Sequence, residues 1–248
     1  MDNLFDKISD YYDLVYEDKD SEGEVDYIIS LLKQHGNNGN TILEYGCGTG
    51  RHGRIFANKG YQIHGIEKSD SMVNSAKLIK GFTCQVGDIT KVNLNKEYDN
   101  IISLFHVVSY LTSNYDIKNL FLNANKHLKK GGLFIFDIWY SPAVHSIKPE
   151  TRIKRFSNNN FSVTRIAEPE IFVNKNIVDV NYTFLVKDKK KNQSLEFKEK
   201  HPMRHFSLPE IKFISKESGF KLIQAEEWIT GKEPSDKSWG ICLILMKT

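Results

Sequence analysis

The chain has 248 residues, with 34 Lys plus Arg against 31 Asp plus Glu, 40% hydrophobic residues, 12% aromatic residues and three cysteines. This composition excludes a disordered, collagenous or disulfide-built protein. No apolar run approaches the roughly 20 residues of a membrane-spanning helix, and the acidic start Met1-Asp2-Asn3 lacks a basic leader.

A cytoplasmic protein with no membrane partner is therefore expected. Cys47, Cys84 and Cys242 are too scattered for a disulfide framework or a metal site, so reduced thiols and no metal are expected. Residues 1–24 hold nine acids and two lysines, whereas residues 141–210 hold thirteen Lys/Arg and eight acids. The acceptor side of the molecule is thus expected to be the later, basic segment. A net charge of +3 without an appended basic domain argues against a nucleic-acid partner. Asp18-x-Asp20-x-Glu22-Gly23 imitates a calcium loop, but its twelfth position is Ile29, where a bidentate Glu is required.

In chain order, residues 1–40 read as a helical N-terminal segment with aromatic residues at Tyr11, Tyr12 and Tyr16. From Thr41 to Tyr140, strands and helices alternate. Strands are expected at Thr41–Tyr45, Tyr61–Ile66, Phe82–Val86, Tyr98–Phe105 and Leu133–Asp137. Helices are expected at Arg51–Lys59, from Ser69 or Asp70 to about Lys80, and at Tyr115–Leu128. Alternation of this kind specifies a parallel sheet covered by helices on both faces. After Tyr140 the segments Phe161–Ile166, Ile171–Val173, Ile177–Val186 and Ser194–His201 are rich in β-branched and aromatic residues without an intervening helix, which predicts an antiparallel insertion. Lys187-Asp-Lys-Lys-Lys191 reads as a solvated turn within it. Ser207-Leu-Pro-Glu opens a last helix, ended by Gly219, and strands Phe220–Trp228 and Gly240–Lys247 close the chain.

The chemistry concentrates in Glu44-Tyr45-Gly46-Cys47-Gly48-Thr49-Gly50, between a strand and a helix. Alternate glycines allow a sharp turn and close approach of a ligand to the main chain. The loop is G-x-G-x-G rather than the dinucleotide G-x-G-x-x-G, and no G-x-x-x-x-G-K-[ST] loop is present. Glu67 at the end of the second strand can accept both hydroxyls of a ribose, and Asp88 follows the third strand at the same sheet edge.

These residues resemble the S-adenosylmethionine-dependent class I methyltransferases over residues 41–140 and 207–248. The resemblance implies a Rossmann-like α/β fold: a mixed sheet of seven strands, the last antiparallel, with the antiparallel β insertion between the fifth strand and the final helix. It divides the chain into an N-terminal lid segment 1–40, a cofactor-binding core 41–140 and 207–248, and an acceptor-binding insertion 141–206. By the same resemblance Gly46, Cys47, Gly48 and Gly50 face the methionine and ribose, with Glu44 near the methionine amino group. Glu67 holds the ribose, Asp88 and Ile89 read the adenine, and Leu104 offers its carbonyl to the methionine ammonium. Tyr16, Lys68 and Met72 complete the expected cofactor contacts.

A narrower resemblance rests on Tyr12-Asp-Leu-Val-Tyr16, Ser103-Leu-Phe-His-Val-Val-Ser-Tyr-Leu111 and the insertion. These are similar to the N-methyltransferases of nucleotide-linked deoxyamino sugars, which implies a small-molecule acceptor such as a sugar nucleotide; a monomer or a homodimer paired through the insertion strands is expected. His106 and Tyr110 are the candidates for general base or amine-orienting group. Tyr12, Trp139, Tyr140, His201 and Arg204 are expected to line the acceptor pocket. An O-methyltransferase of a small metabolite, and a cofactor-binding subunit without its own catalysis, remain open as alternatives.

Overall fold

The computed structural model describes residues 11–36 and 38–248, so residues 1–10 and 37 of the expected lid segment lie outside the described residues. Strands β1 (Thr41–Tyr45), β2 (Gln62–Glu67), β3 (Phe82–Val86), β4 (Tyr98–Ser103) and β5 (Leu128–Tyr140) pair in parallel in the order β3-β2-β1-β4-β5. Strand β11 (Gly240–Lys247) runs antiparallel to β5, and β10 (Phe220–Glu227) antiparallel to β11. Successive residues of the central strands enter opposite cores, as the twofold alternation of a strand requires. Leu43, Ile101, Phe134 and Leu243 face one apolar cluster, while Ile42, Ile102, Ile135 and Ile244 face the other. Helices α2 (Ser21–Gln34) and α3 (Arg51–Asn58) cover the second face, and α5 (Asn114–His127) and α7 (Leu208–Glu217) cover the first. Each fully buried Leu, Ile or Phe here contributes about 1.5–3 kcal/mol.

The sheet does not stop at seven strands. The insertion forms an antiparallel meander of β6 (Arg152–Ser157), β7 (Phe161–Phe172), β8 (Ile177–Asp188) and β9 (Gln193–Phe206). The end of β9 pairs in parallel with the end of β5, at Trp139 with His205 and Tyr140 with Phe206, which joins eleven strands into one sheet. The cause is the length of β5, which continues through Ile138, Trp139 and Tyr140 instead of stopping at Asp137. The two expected segments Phe161–Ile166 and Ile171–Val173 are largely one strand, β7. Its Pro169 lies beyond Ala167, the last residue paired with β6, so the missing N–H falls on an edge.

Other boundaries move for local reasons. A short helix α6 (Ser141–Ile147), with Pro142 in its first turn, follows β5 where none was expected. Helix α4 (Asp70–Ser75) ends well before Lys80, because Ala76 turns extended and Ile79 bridges to Phe82. Asp20, part of the calcium-like motif, caps α2 by accepting from the Gly23 amide at 2.9 Å. Helix α1 (Tyr12–Val15) packs onto the insertion: Val15 joins Val163, Phe184, Val186 and Phe197 in a separate apolar cluster. No helix among the described residues is long and apolar enough to cross a membrane.

Candidate functional site

A cleft of about 300 Å³ opens at the carboxyl ends of β1 to β4, where an open α/β sheet places its ligands. Its floor is the glycine loop. Gly46, Gly48 and Gly50 all have positive φ, at 72°, 54° and 75°. A Cβ on Gly46 would lie 2.5 Å from Val107, and one on Gly50 2.3 Å from the Phe82 ring, so packing forbids any side chain there. At Gly48 it would meet only the Met72 sulfur at 3.6 Å, which leaves open space above the loop. Gly46, Cys47 and Gly48 line the cleft; Gly50 lies behind it against Phe82.

Two carboxylates stand on the rim at adjacent strand ends. Glu67 accepts from the Gly48 amide at 3.0 Å and from the Ser69 amide at 2.9 Å, one bond to each oxygen. Asp88 accepts from the Thr90 amide at 2.9 Å and hydroxyl at 2.6 Å through one oxygen, leaving the other nearest Lys68 at 3.9 Å. Burial raises the Asp88 carboxyl, but the Thr90 bonds and the lysines outweigh it and hold it below its usual value. Lys68, Met72, Ile89 and Leu104 line the same cleft. Two rigidly held carboxylates beside a bare stretch of main chain suit a nucleoside bearing a ribose.

Glu44 is placed differently from the expectation. It is buried beneath α3, does not line the cleft, and approaches His52 Nδ1 at 3.9 Å. Burial pushes its carboxyl up to about 8. His52 does line the cleft and meets Glu24 at 2.7 Å, while Glu24 also pairs with Lys19. Lys19 lies 4.2 Å over the Phe105 ring. This wall was not legible in the sequence, because its parts come from four separate segments.

Tyr12, Tyr16, Tyr110 and Pro202 line the far end of the cleft. The Tyr16 hydroxyl accepts from Arg165 Nη1 at 3.1 Å, its carbonyl accepts from Arg51, and its ring packs edgewise on Phe105. Tyr110 Oη lies 3.0 Å from His201 Nδ1, and His201 Nε2 lies 3.0 Å from Glu199. Burial pushes the Tyr110 hydroxyl well above its ordinary value. His201 thus stands one bond behind the cleft wall rather than on it.

Four further expected residues, besides Gly50, Glu44 and His201, do not reach the cleft. His106 has a left-handed backbone, φ 61°, and its ring turns to Asp137, 2.7 Å away, and to the edge of Trp139. Its amide also donates to Asp137, a buried acid within the apolar run of β5 whose oddity there was a usable signal. Trp139 packs on Trp239, and Tyr140 on the apolar core. Arg204 is held by Glu210 at 2.5 Å and the Thr112 carbonyl at 3.3 Å, over the Phe206 ring. A guanidinium so engaged braces α7 against β9.

Residues 42–132 match the family described as a methyltransferase domain. A similar protein is the dTDP-3-amino-3,4,6-trideoxy-alpha-D-glucopyranose N,N-dimethyltransferase of Streptomyces venezuelae, 28% identical over 137 residues, 54% of this chain and 58% of that one. The chain spans little more than half the length of the amino-sugar dimethyltransferases it matches. Among solved structures, an S-adenosylmethionine-dependent methyltransferase from Clostridium acetobutylicum superposes with a TM-score of 0.81 at 21% identity, covering 99% of both chains. An amino pentose methyltransferase from Micromonospora echinaspora superposes at 0.77 and 18% identity, over 100% of this chain and 99% of that one. Residues 42–132 thus match a methyltransferase domain, and the chain as a whole takes the fold seen in S-adenosylmethionine-dependent methyltransferases.

Proposed function

We propose that the protein methylates an amine of a small molecule, an amino sugar carried on a nucleotide, in the cytoplasm and with S-adenosylmethionine as donor. One observation carries this reading: a single cleft joins the carboxylates of Glu67 and Asp88 at one end to Tyr12, Tyr16 and Tyr110 at the other. The similarity to amino-sugar dimethyltransferases supports the choice of acceptor.

When bound, S-adenosylmethionine supplies a methyl group on a positively charged sulfur, open to in-line attack. Glu67 would hold the ribose hydroxyls, Asp88 and Ile89 the base, and Gly46, Cys47, Gly48 and the Leu104 carbonyl the amino-acid portion. The chain's main task is positioning, because holding the nucleophile in line removes about 7–11 kcal/mol of the barrier. Tyr110 orients the amine through its hydroxyl, and the proton the amine gives up passes through that hydroxyl to His201 Nδ1, whose Nε2 is held by Glu199. His106, held by Asp137 outside the cleft, shapes the loop after β4 instead of meeting the acceptor.

The test is S-adenosylhomocysteine release from the purified chain with a panel of amino and hydroxy sugar nucleotides, with product masses recorded. Methyl gain on an amino sugar and none on its hydroxy counterpart is the expected result. Gain on the hydroxy sugar alone makes the protein an O-methyltransferase. No product on any member returns weight to a non-sugar acceptor.

A further inference from the structure

Two thiols meet across a gap in β2. Cys84 stands on β3 and Cys47 in the loop leaving β1, with β2 between them. The strand register puts Gly65 opposite both Glu44 and Cys84. Gly46 and Cys47 donate their amides to the Ile66 carbonyl, at 2.7 and 3.2 Å, which folds the loop back over β2. A Cβ on Gly65 would then lie 2.5 Å from the Cys47 sulfur, 2.8 Å from its Cβ and 3.1 Å from the Cys84 Cβ. Gly65 is a glycine because Cys47 fills its side-chain space. Both cysteine Cβ atoms therefore flank one point, compatible with the separation of about 3.5–4.5 Å that a disulfide takes.

The two thiols differ in access and in acidity. Cys47 is buried and lines the cofactor cleft, Cys84 is half-buried, and Cys242 is fully enclosed in the core. The hydrogen bond between the pair draws the Cys84 thiol down to about 7 and, with burial, pushes Cys47 up. A reachable thiolate beside a protonated thiol is the arrangement of an attacking and a resolving cysteine.

We propose that Cys84 and Cys47 form a peroxide-sensitive dithiol at the edge of the cofactor cleft, and that its closure to a disulfide weakens cofactor binding. The Cys84 thiolate attacks one oxygen of hydrogen peroxide, the O–O bond breaks, and hydroxide leaves with the electron pair and takes up a proton. Cys84 is then a sulfenic acid, oxidised by two electrons as the peroxide is reduced. Cys47 gives up its proton, its sulfur attacks the Cys84 sulfur, and the S–O bond breaks with release of water. A small dithiol restores both thiols. The coupling to the cofactor follows from position. Cys47 lies between Gly46 and Gly48, and the Gly48 amide holds Glu67 at 3.0 Å, so drawing Cys47 toward β3 moves the bond that orients Glu67.

The experiment exposes the purified chain to equimolar hydrogen peroxide near neutral pH and follows intact mass and peptide links. Expected are the loss of two hydrogens, a link between Cys47 and Cys84 reversed by dithiothreitol, and an unmodified Cys242. Oxygen addition on Cys84 with Cys47 still open to alkylation, or no reaction, overturns the proposal. The link is absent in Cys84→Ser, and in Gly65→Ala, whose methyl parts the thiols. Calorimetry with S-adenosylhomocysteine is expected to give roughly tenfold weaker binding by the disulfide form than by the reduced form. Reduced Cys84→Ser is expected to bind as the unmodified chain does. Equal affinity of the oxidised and reduced forms overturns the coupling to the cofactor. Neither arm depends on the acceptor proposed above.

Discussion

Glu67 is oriented before any ligand arrives, since the amides of Gly48 and Ser69 each hold one of its oxygens. A carboxylate so held still has acceptor capacity for two hydroxyls. Glu67→Gln places an NH₂ group against one of those amides and removes the charge, so cofactor affinity is expected to fall roughly 10- to 100-fold by calorimetry. Affinity unchanged within error would mean that the ribose sits elsewhere. Tyr110→Phe removes the hydroxyl that reaches His201 and leaves the glycine loop untouched. Turnover with the amine acceptor is expected to drop about 10²-fold while cofactor affinity stays within about twofold. Glu44 gives a pH test of burial. Its folded carboxyl, pushed up to about 8, keeps a proton that the unfolded chain releases near 4.5. The folded state therefore binds more protons across that window, and stability falls as pH rises from about 4.5 to about 8, by an amount on the order of 5 kcal/mol. Glu44→Gln should flatten this dependence, measured as the change in Tm between about pH 5 and about pH 8.5; equal slopes would contradict the buried neutral acid.

At the scale of elements, α1 is clasped from two sides: Arg165 of the insertion holds the Tyr16 hydroxyl and Arg51 of α3 holds its carbonyl. Arg165 also stacks over Tyr16, Phe156 and Tyr182. Arg165→Ala should speed hydrogen exchange at Tyr12–Val15 by roughly tenfold or more with little change in β4 or β5, because the lost contacts are local. The same elements explain what the sequence disclosed. Strand β11 buries both faces and announces itself as a continuous apolar run. Strand β6 does not, since five of its six residues are exposed and it pairs on one side only. Helix α4 was expected to reach Lys80 because Leu78 continues its spacing, yet Leu78 is 61% exposed and has no core to enter. In the cleft, the glycine loop, Glu67 and Asp88 were legible because each follows its own strand at short spacing. The link from Tyr110 to His201 spans 91 residues and depends on the register of β8 with β9, which no local pattern encodes. Arg204 was expected to line the acceptor pocket, but Glu210 in the first turn of α7 engages it instead.

For the whole molecule, the junction of β5 with β9 decides whether insertion and core behave as one body. Only two residue pairs form the ladder there, Trp139 with His205 and Tyr140 with Phe206, which by itself is a weak seam. Side chains reinforce it from both faces. Phe206 is 1% exposed within the core cluster of Phe134 and Phe136, while Val144 of α6 packs with Val178, Val180 and Met203 of the insertion. The insertion is thus anchored by apolar burial more than by its two ladder pairs, and the far end of the cleft, where Pro202 meets Tyr110, inherits that rigidity. Amides of β8 and β9 are expected to lose protection against exchange at the same denaturant concentration as those of β4 and β5. Phe206→Ala, at a cost of about 3–5 kcal/mol, should separate the two, with β8 and β9 opening first while β4 and β5 keep their protection. Joint loss in the variant would show that the ladder, or the α6 contact, holds the seam without Phe206. Earlier opening of β8 and β9 in the unaltered chain would show instead that the eleven strands are one sheet in geometry but two units in stability.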